Sequence, residues 1–209
     1  MPSDPLILAF DTSAAHCAAA LLCGDRILAE RRDEMARGQA EHIVPLLEGV
    51  LAGAGFGWAD LSALAVGAGP GNFTGIRISV SLARGLALGL KIPAIGVTGF
   101  DALAFGQPRP ALVTLPAPRD QVYAALFTEE GVSDPVLVPA PDLPEALSPA
   151  GCLRLGALPG SLPAPLNPAP AIARVAATRL GGDSGAPAPF YLRPADAAPP
   201  RDAPPRILP

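Results

Sequence analysis

The first hundred residues alternate between short apolar runs and longer segments with helical spacing. Residues 6–10 (LILAF) and 16–23 (HCAAALLC) are apolar runs separated by the turn-forming letters DTSA, and a Gly-Asp pair then leads into RILAERR. Short apolar or alternating runs joined by tight turns are typical of strands. The opening of the chain is therefore predicted to be a β-meander.

Helices and strands then alternate. Residues 41–54 space their apolar side chains as a helix does, with Pro45 tolerated only if it lies in the first turn. The sequence next predicts a strand (LSALAVG), a long helix at about 75–90, a short strand (PAIGV) and a helix (TGFDALAF). A hairpin followed by this alternation indicates an α/β layer built on a mixed sheet.

The second half repeats this opening in weaker form. Residues 5–22 align without gaps on residues 110–127, so that Phe10 falls on Leu115, and both copies have a strand–turn–strand pattern. We therefore predict a duplicated α/β fold with two mixed-sheet subdomains, residues 1–106 and 107–209. Further along, the pattern predicts a strand (PVLVP), one short helix (PDLPEAL), a strand (CLRLGAL) and a helix (PAPAIARVAATRL) capped by Gly181.

The prolines are distributed very unevenly between the two halves. Of the 27 prolines, five precede residue 107 and twenty-two follow it. Proline breaks helices and removes a donor from the hydrogen bonds between strands. The second subdomain is therefore predicted to be reduced and rich in loops, and the last twenty residues to be extended and partly disordered.

Composition narrows the classes of function. A net charge of −4 gives no electrostatic footprint for direct nucleic-acid binding, so any contact with RNA is expected to run through a partner. Three cysteines without a CxxC pair fit free thiols in a reducing cytoplasm. No run of about 18 apolar residues occurs and the N-terminus does not resemble a signal peptide, so we predict no membrane segment.

The stretch GAGPGNFTGIR, residues 67–77, resembles a phosphate-binding loop at first sight. No Lys-Ser or Lys-Thr follows Gly75, and the spacing of Gly67, Gly69 and Asn72 does not fit GxGxxG. Asn72 or Thr74 is a plausible N-cap for the following helix. The glycines therefore indicate a sharp turn from a strand into a helix rather than a nucleotide loop.

The long helix has apolar residues on more than one face. Ile76, Val80 and Ala83 form one stripe, whereas Ile78 and Leu82 lie off it beside a ridge of small residues, Ser81, Gly85 and Gly89. A helix that is apolar nearly all round is buried nearly all round. Packing inside this chain and docking on another protein both explain the pattern. In the preceding helix, Val44 and Leu51 form a similar second face.

Few residues have the arrangement of a catalytic or metal site. Asp11, Thr12 and Ser13 at the first hairpin tip suit either ordinary turn chemistry or a phosphate-binding turn. The matching tip in the second copy is Pro116-Ala117-Pro118, which has no acid, so we interpret the first tip as a vestigial phosphate turn. Two separated histidines, His16 and His42, are too few for a histidine-based metal site, and no serine has a GxSxG setting. We predict no catalytic residue, no metal and no cofactor.

Four segments together resemble a known family: ILAFDTS, EHIVPLLEGVL, the long LSALAVGAGPGNFTGIRISVSLARGLALGL, and PFYLR near the C-terminus. They are similar to the TsaB (YeaZ) family of tRNA threonylcarbamoyladenosine biosynthesis proteins. The resemblance covers most of residues 6–100. The family commonly has an acidic residue and an arginine shortly before the residues that correspond to Val122 and Tyr123. In this sequence Pro116 stands at the position of the acid, and the arginine is displaced to Arg119.

The resemblance implies a duplicated fold of the actin, Hsp70 and sugar-kinase type and a non-catalytic paralogue of the TsaD transferase. It implies a heterodimer with TsaD and an assembly joined by TsaE, a small ATPase. Two helices, at 41–54 and 75–90, would meet the partner. The interface it implies comprises Gly69, Pro70, Gly71, Asn72, Phe73, Thr74, Gly75, Arg77, Ile78, Ser81, Leu82, Gly85, Gly89, Val44 and Leu51.

Three questions stay open at the level of sequence. A glycoprotease-type metallopeptidase and a sugar-kinase-like phosphotransferase are the alternative functions, the first disfavoured by the scarcity of histidine and the second by the lost second hairpin tip. An apolar surface of this kind also allows the free chain to form a homodimer. The sequence does not decide whether tRNA touches this chain directly.

Overall fold

The first half of the chain forms a five-stranded mixed sheet. The computed structural model describes residues 4–182 and 185–192. The strands of the first sheet are β1 (Leu6–Asp11), β2 (His16–Cys23), β3 (Arg26–Glu34), β4 (Ala63–Gly67) and β5 (Ala94–Val97), in the order β3-β2-β1-β4-β5. The β1–β2–β3 meander is antiparallel, whereas β4 and β5 run parallel to β1. The predicted meander and the mixed sheet are confirmed.

Two long helices cover one face of this sheet. They are α1 (Gln39–Gly53) and α2 (Phe73–Leu90), and the shorter α3 (Gly99–Ala104) follows β5. Side chains alternate along β1, so that Leu6, Leu8 and Phe10 pack under α1 and α2 while Ile7 and Ala9 face the other side. The helix predicted at 41–54 begins two residues earlier, which places Pro45 beyond the first turn, on the exposed side of α1.

The second half forms a smaller sheet with the same arrangement. Its strands are β6 (Ala111–Pro116), β7 (Gln121–Phe127), β8 (Val136–Pro139) and β9 (Leu153–Gly156), in the order β8-β7-β6-β9. The hairpin β6–β7 corresponds to β1–β2, and β9 is parallel to β6 as β4 is to β1. The duplicated fold is confirmed, and within residues 107–182 and 185–192 the second copy has no strand equivalent to β5.

The second copy also lacks a helix equivalent to α1. Between β8 and β9 the chain forms two short 3-10 turns, Ala140–Asp142 and Glu145–Leu147. The single short helix predicted for PDLPEAL is therefore wrong. Pro144 stands between the two turns, and a proline cannot continue a helix because it has no N–H and clashes with the preceding turn.

The last helix crosses back to the first half. Helix α4 (Ala169–Arg179) packs on β1, β2, β4 and β5, covering the face that α1 and α2 leave open. Helix α3 in turn packs on β6 and β9 through Phe100 and Ala104. The two sheets therefore exchange helices, and α3 and α4 lie against each other between them.

The segment after α4 returns to the first sheet. The amide of Phe190 donates to the carbonyl oxygen of Ala68 at 2.8 Å.

The extended, partly disordered tail predicted for the last twenty residues lies mostly outside the described residues. The division of the chain into residues 1–106 and 107–209 stays a prediction, since α4 lies in one range by sequence and against the other in space.

Candidate functional site

The glycine-rich loop between β4 and α2 packs directly against the tip of the first hairpin. A Cβ added to Gly75 would collide with the carbonyl oxygen of Thr12, and one added to Gly71 would collide with that of Ser13. A side chain on Gly67 would collide with the carboxylate of Asp11. Bare backbone is required at these positions because two chain segments approach closely.

Hydrogen bonds join the loop to the hairpin tip. The hydroxyl of Thr12 donates to the carbonyl oxygen of Gly75 at 2.6 Å, and the amide of Asn72 donates to that of Ser13 at 2.7 Å. Gly69 and Pro70 are also buried, and a Cβ added to Gly69 would collide with Ile76 and with the carbonyl oxygen of Phe190. The loop and the vestigial phosphate turn predicted from sequence are thus two sides of one internal junction.

Asp11 lies at the centre of this junction and is almost fully buried. Its Oδ1 accepts hydrogen bonds from the amide of Ser13 at 3.0 Å, the hydroxyl of Ser13 at 2.9 Å and Nε2 of His16 at 2.8 Å. The side chain of Ser13 is therefore committed inside the turn, and Asp11 forms a buried pair with His16. Sequence reasoning did not predict this pairing, although both residues flank the same hairpin turn.

A cleft of about 510 Å³ opens above the junction. One wall consists of the hairpin tip and the loop at Gly69–Asn72, and the facing wall includes Leu115, Pro116 and Tyr123 from the second subdomain. This is the place where a fold of this type has room for a ligand between its two halves.

Helix α2 begins at this loop. Asn72 is its N-cap, with the side-chain oxygen accepting from the amide of Gly75 at 3.0 Å, which decides between the two predicted caps. Ile76, Val80 and Ala83 are buried in the first core, as the main stripe predicted.

The opposite face of α2 is open. Leu88 is 82% exposed, and no atom lies within 4 Å of a Cβ added to Gly85 or Gly89. Ser81 is also exposed, whereas Ile78 and Leu82 are half-buried at the edge of the first core. The small-residue ridge therefore has no partner within the described residues.

By length and composition alone, α2 also passes the test for a membrane-spanning helix, with a mean hydropathy of 1.2. The sequence pattern predicted no such segment. The isoleucine, leucine, valine and alanine residues of α2 raise the average, whereas its glycines, serines and arginines interrupt the apolar run, and one side of α2 packs in a protein core. A core helix meets the same criterion.

The second apolar face predicted for α1 is smaller than expected. Val44 is half-buried and available, but Leu51 is 2% exposed and packs in the first core with Ile43 and Leu47. The prediction that Leu51 lies at a partner interface is therefore wrong for this conformation. The chain turns under α1 at Phe56 and Trp58, which pack against the same core, and spacing alone did not indicate these contacts.

A cluster at the start of α2 was not predicted. The guanidinium of Arg77 lies 3.8 Å from the centre of the Phe73 ring, and its Nε donates to the hydroxyl of Tyr191 at 3.1 Å. The Phe73 and Tyr191 rings lie 4.8 Å apart. Tyr191, which belongs to the PFYLR motif, thus attaches this part of the chain to α2. Thr74, next to this cluster, is exposed.

A charged group links α1 to β3. Oδ2 of Asp33 lies 2.7 Å from Nε2 of His42 and 2.8 Å from Nη2 of Arg31. Arg31 and then His42 hold the pKa of the Asp33 carboxyl below its usual range. The interactions of Asp33 with Arg31 and His42 stabilise the fold at pH values above the ordinary pKa of an aspartate. Their contribution is lost as the pH falls through the lowered pKa of Asp33. His42 thus lies at the surface near the start of α1, paired with an acid.

The described residues contain no cluster of the side chains that usually hold a metal ion. In residues 4–182 and 185–192, no three His, Cys, Asp or Glu side chains are grouped so that they could hold a metal ion. The two buried titratable groups of the junction, Asp11 and His16, are bound to each other.

Comparison with known proteins agrees with the geometry. The family model of TsaD, tRNA N6-adenosine threonylcarbamoyltransferase, matches residues 28–153. The tRNA threonylcarbamoyladenosine biosynthesis protein TsaB of Escherichia coli is 35% identical over 129 residues, which is 59% of this chain and 55% of that protein. TsaB of Haemophilus influenzae is 34% identical over 60% of this chain and 55% of its own length. The chain thus spans about half the length of the curated relatives it matches.

Two further proteins align over almost the whole chain. Protein Rv3421c of Mycobacterium tuberculosis is 35% identical over 201 residues, covering 92% of this chain and 94% of that protein. The solved structure of YeaZ from Pseudomonas aeruginosa has a TM-score of 0.74 at 25% identity and covers 90% of this chain and 100% of that one. The chain therefore belongs to the family of TsaD, tRNA N6-adenosine threonylcarbamoyltransferase, and within it to the TsaB (YeaZ) branch.

Proposed function

We propose that this chain is a non-catalytic scaffold and activator of a TsaD-type transferase in the biosynthesis of threonylcarbamoyladenosine in tRNA. The observation that carries the proposal is the open face of α2, where Ser81 and Leu88 are exposed and the described residues leave open space beside Gly85 and Gly89. The relatives named as TsaB biosynthesis proteins supply the pathway.

The two glycines on this face reduce the stability of the isolated chain. A glycine inside a helix costs about 0.5–1 kcal/mol relative to alanine, and nothing around Gly85 or Gly89 excludes a methyl group. A second helix that approaches α2 closely would make use of them, because small residues let two backbones come near each other. An exposed leucine beside them adds apolar area for such a contact.

The interface that we propose keeps nine residues of the sequence-based set and adds Leu88, which is 82% exposed. It consists of the exposed or half-buried residues of α1 and α2. Its members are Val44, Phe73, Thr74, Arg77, Ile78, Ser81, Leu82, Gly85, Leu88 and Gly89. Gly69, Pro70, Gly71, Asn72 and Gly75 set the start and direction of α2, since most of their contacts are with the hairpin tip or within the helix cap.

The chemistry of the junction favours the role of a scaffold over that of a catalyst. Oδ1 of Asp11 and the hydroxyls of Thr12 and Ser13 form hydrogen bonds inside the chain, and the second hairpin tip carries prolines in place of acid and hydroxyl groups. A peptidase with a metal centre or a phosphotransferase would need groups that these residues do not present. A TsaE-like ATPase would join the assembly, tRNA would be contacted through the partners, and the work would take place in the cytoplasm.

Co-purification with the TsaD-family protein of the same organism tests the docking face. We expect a stable complex with the unchanged chain and at least a tenfold weaker one with Gly85→Gln, because the added side chain keeps the backbones apart. Arg174→Gln, on the exposed side of α4, is the matched control and should leave the complex intact. Equal affinity of all three chains would show that α2 is not the interface.

The proposed pathway has its own test. Depletion of this protein in its native cells should lower the threonylcarbamoyladenosine content of tRNA, measured by mass spectrometry of digested tRNA. Restoration by the unchanged chain but not by Gly85→Gln would connect the modification with the α2 face. An unchanged nucleoside level after depletion would overturn the proposed function.

A further inference from the structure

The cleft between the two subdomains has a mainly apolar lining. Apolar side chains and prolines dominate its walls, including Leu103, Leu115, Leu166 and Ile172. Its volume of about 510 Å³ lies within the usual range of small-molecule sites. No part of the docking role requires this cleft.

The cleft presents no fixed positive charge. Among the described residues that line it, the titratable groups are Asp11, His16 and Tyr123, and neither an arginine nor a lysine is present. Pro70, Pro116 and Pro118 face it as well, and proline has no N–H to donate. An anion such as a phosphate would lose its water there without meeting a positively charged arginine or lysine.

Asp11 supplies the one fixed negative charge. Its Oδ1 is fully used by Ser13 and His16, while Oδ2 accepts no hydrogen bond from the described residues. A ligand group with an N–H and a positive charge would find a charge-assisted partner at this oxygen.

We propose that the inter-subdomain cleft binds a small ligand with an apolar body and one protonated amine, with the amine on Oδ2 of Asp11 and the body against the wall at Leu115 and Ile172. The site would therefore select against nucleotides, which are flat but strongly anionic. It is independent of the α2 face and of the partner that docks there.

Titration of the full chain by NMR tests the proposal with three matched probes: phenethylamine, 2-phenylethanol and 3-phenylpropionate. We expect the amine to bind about tenfold or more tightly than the alcohol and the carboxylate, and to shift amide signals at residues 11–16, 69–72 and 115–118. MgADP should produce no saturable shift. Equal affinities for the three probes, or tighter binding of MgADP, would overturn the proposal.

Two variants separate the effect of charge in the cleft on ligand preference from an effect on folding. Asp11→Asn should remove the preference for the amine while binding of the alcohol persists. Because Asp11 also holds the hairpin tip, Pro116→Lys on the facing wall provides a second readout and should reverse the preference in favour of the carboxylate. Pro149→Lys, exposed and remote from the cleft lining, is its control and should bind like the unchanged chain. An unaltered preference in folded Pro116→Lys would also contradict the proposed site.

Discussion

At the scale of single residues, the glycines of this chain serve two opposite purposes. Gly75 is required by the carbonyl oxygen of Thr12, which occupies the space of a side chain. Gly85, ten residues further along the same helix, faces open space. The sequence presents both as glycines of one helix, and only their surroundings distinguish a fold requirement from a surface property.

The two positions are expected to respond to alanine with opposite signs. Gly75→Ala should lower the free energy of unfolding by about 1–3 kcal/mol, because the methyl group forces the helix start away from the hairpin tip. Gly85→Ala should raise it by about 0.5–1 kcal/mol through better helix propensity. Urea denaturation of the isolated chain measures both. Destabilisation by Gly85→Ala would mean that the α2 face is already packed in the free protein.

The three thiols should differ in reactivity. Cys17 is fully buried and its pKa is raised to about 11 by burial, with Asp33 and Asp11 adding to the shift. At pH 8 its thiolate fraction is then about one in a thousand. We expect Ellman's reagent to label the half-buried Cys23 and Cys152 in the native chain, and Cys17 only in urea.

Cys17→Ala is the control for that experiment. It should give two reactive thiols in both conditions, since Cys23 and Cys152 remain. Rapid labelling of three thiols in the native unchanged chain would contradict the buried position of Cys17.

At the scale of elements, α1 is fixed to the first hairpin by one polar side chain. Gln39, the first residue of α1, donates from Nε2 to the carbonyl oxygens of Ala14 at 2.7 Å and His16 at 2.8 Å. Gly38, the N-cap, has no side chain that could cap the helix. Gln39 therefore provides a polar connection between the start of α1 and the first hairpin. The helix that contributes Val44 to the proposed interface is thus held by the same hairpin that positions α2.

Gln39→Leu is expected to destabilise the chain by about 1–3 kcal/mol, because carbonyl oxygens in a buried turn lose their donor. Gln39→Glu should be similarly destabilised at neutral pH, since a carboxylate accepts but does not donate. The exposed Gln107→Leu is the control and should change stability by less than about 0.5 kcal/mol. Thermal unfolding of the four chains compares them, and equal melting temperatures would show that the bonds do not contribute.

At the scale of the whole molecule, the two halves are interlocked by the exchange of helices. The face of the first sheet that contains Ile7, Ala9 and Ile95 is covered by α4, which follows both sheets in the chain. Neither half therefore has a complete core formed only from its own range of sequence.

A fragment of residues 1–106 is accordingly expected to be loosely folded. Its uncovered sheet face should bind the dye ANS strongly, and its unfolding by urea should be broad, whereas the full chain should unfold in one sharp transition with little dye bound. A fragment with the same transition and dye binding as the full chain would establish residues 1–106 as an autonomous domain.

Much of the fold followed from local patterns. The strand bounds of both hairpins, the long helix and its N-cap are set by residue spacing and turn chemistry, which act over a few neighbours. The short helix predicted before Ser148 was wrong because Pro144 interrupts it, and the side assigned to Leu51 was wrong because residues after α1 fold back beneath it. Helical periodicity specifies which residues share a face but not what covers that face.

The sequence by itself determined the duplicated α/β fold, its reduced second copy and the family, because strand patterns, proline content and a long motif are properties of the chain. The tertiary structure alone decided the purpose of GAGPGNFTGIR. Its glycines near the hairpin tip are explained by close contacts between segments more than fifty residues apart in the chain. Further along α2, Gly85 and Gly89 differ because the part of the chain that the structure describes leaves the space beside them open. Such distinctions depend on distances between residues remote in sequence, which spacing along the chain does not contain.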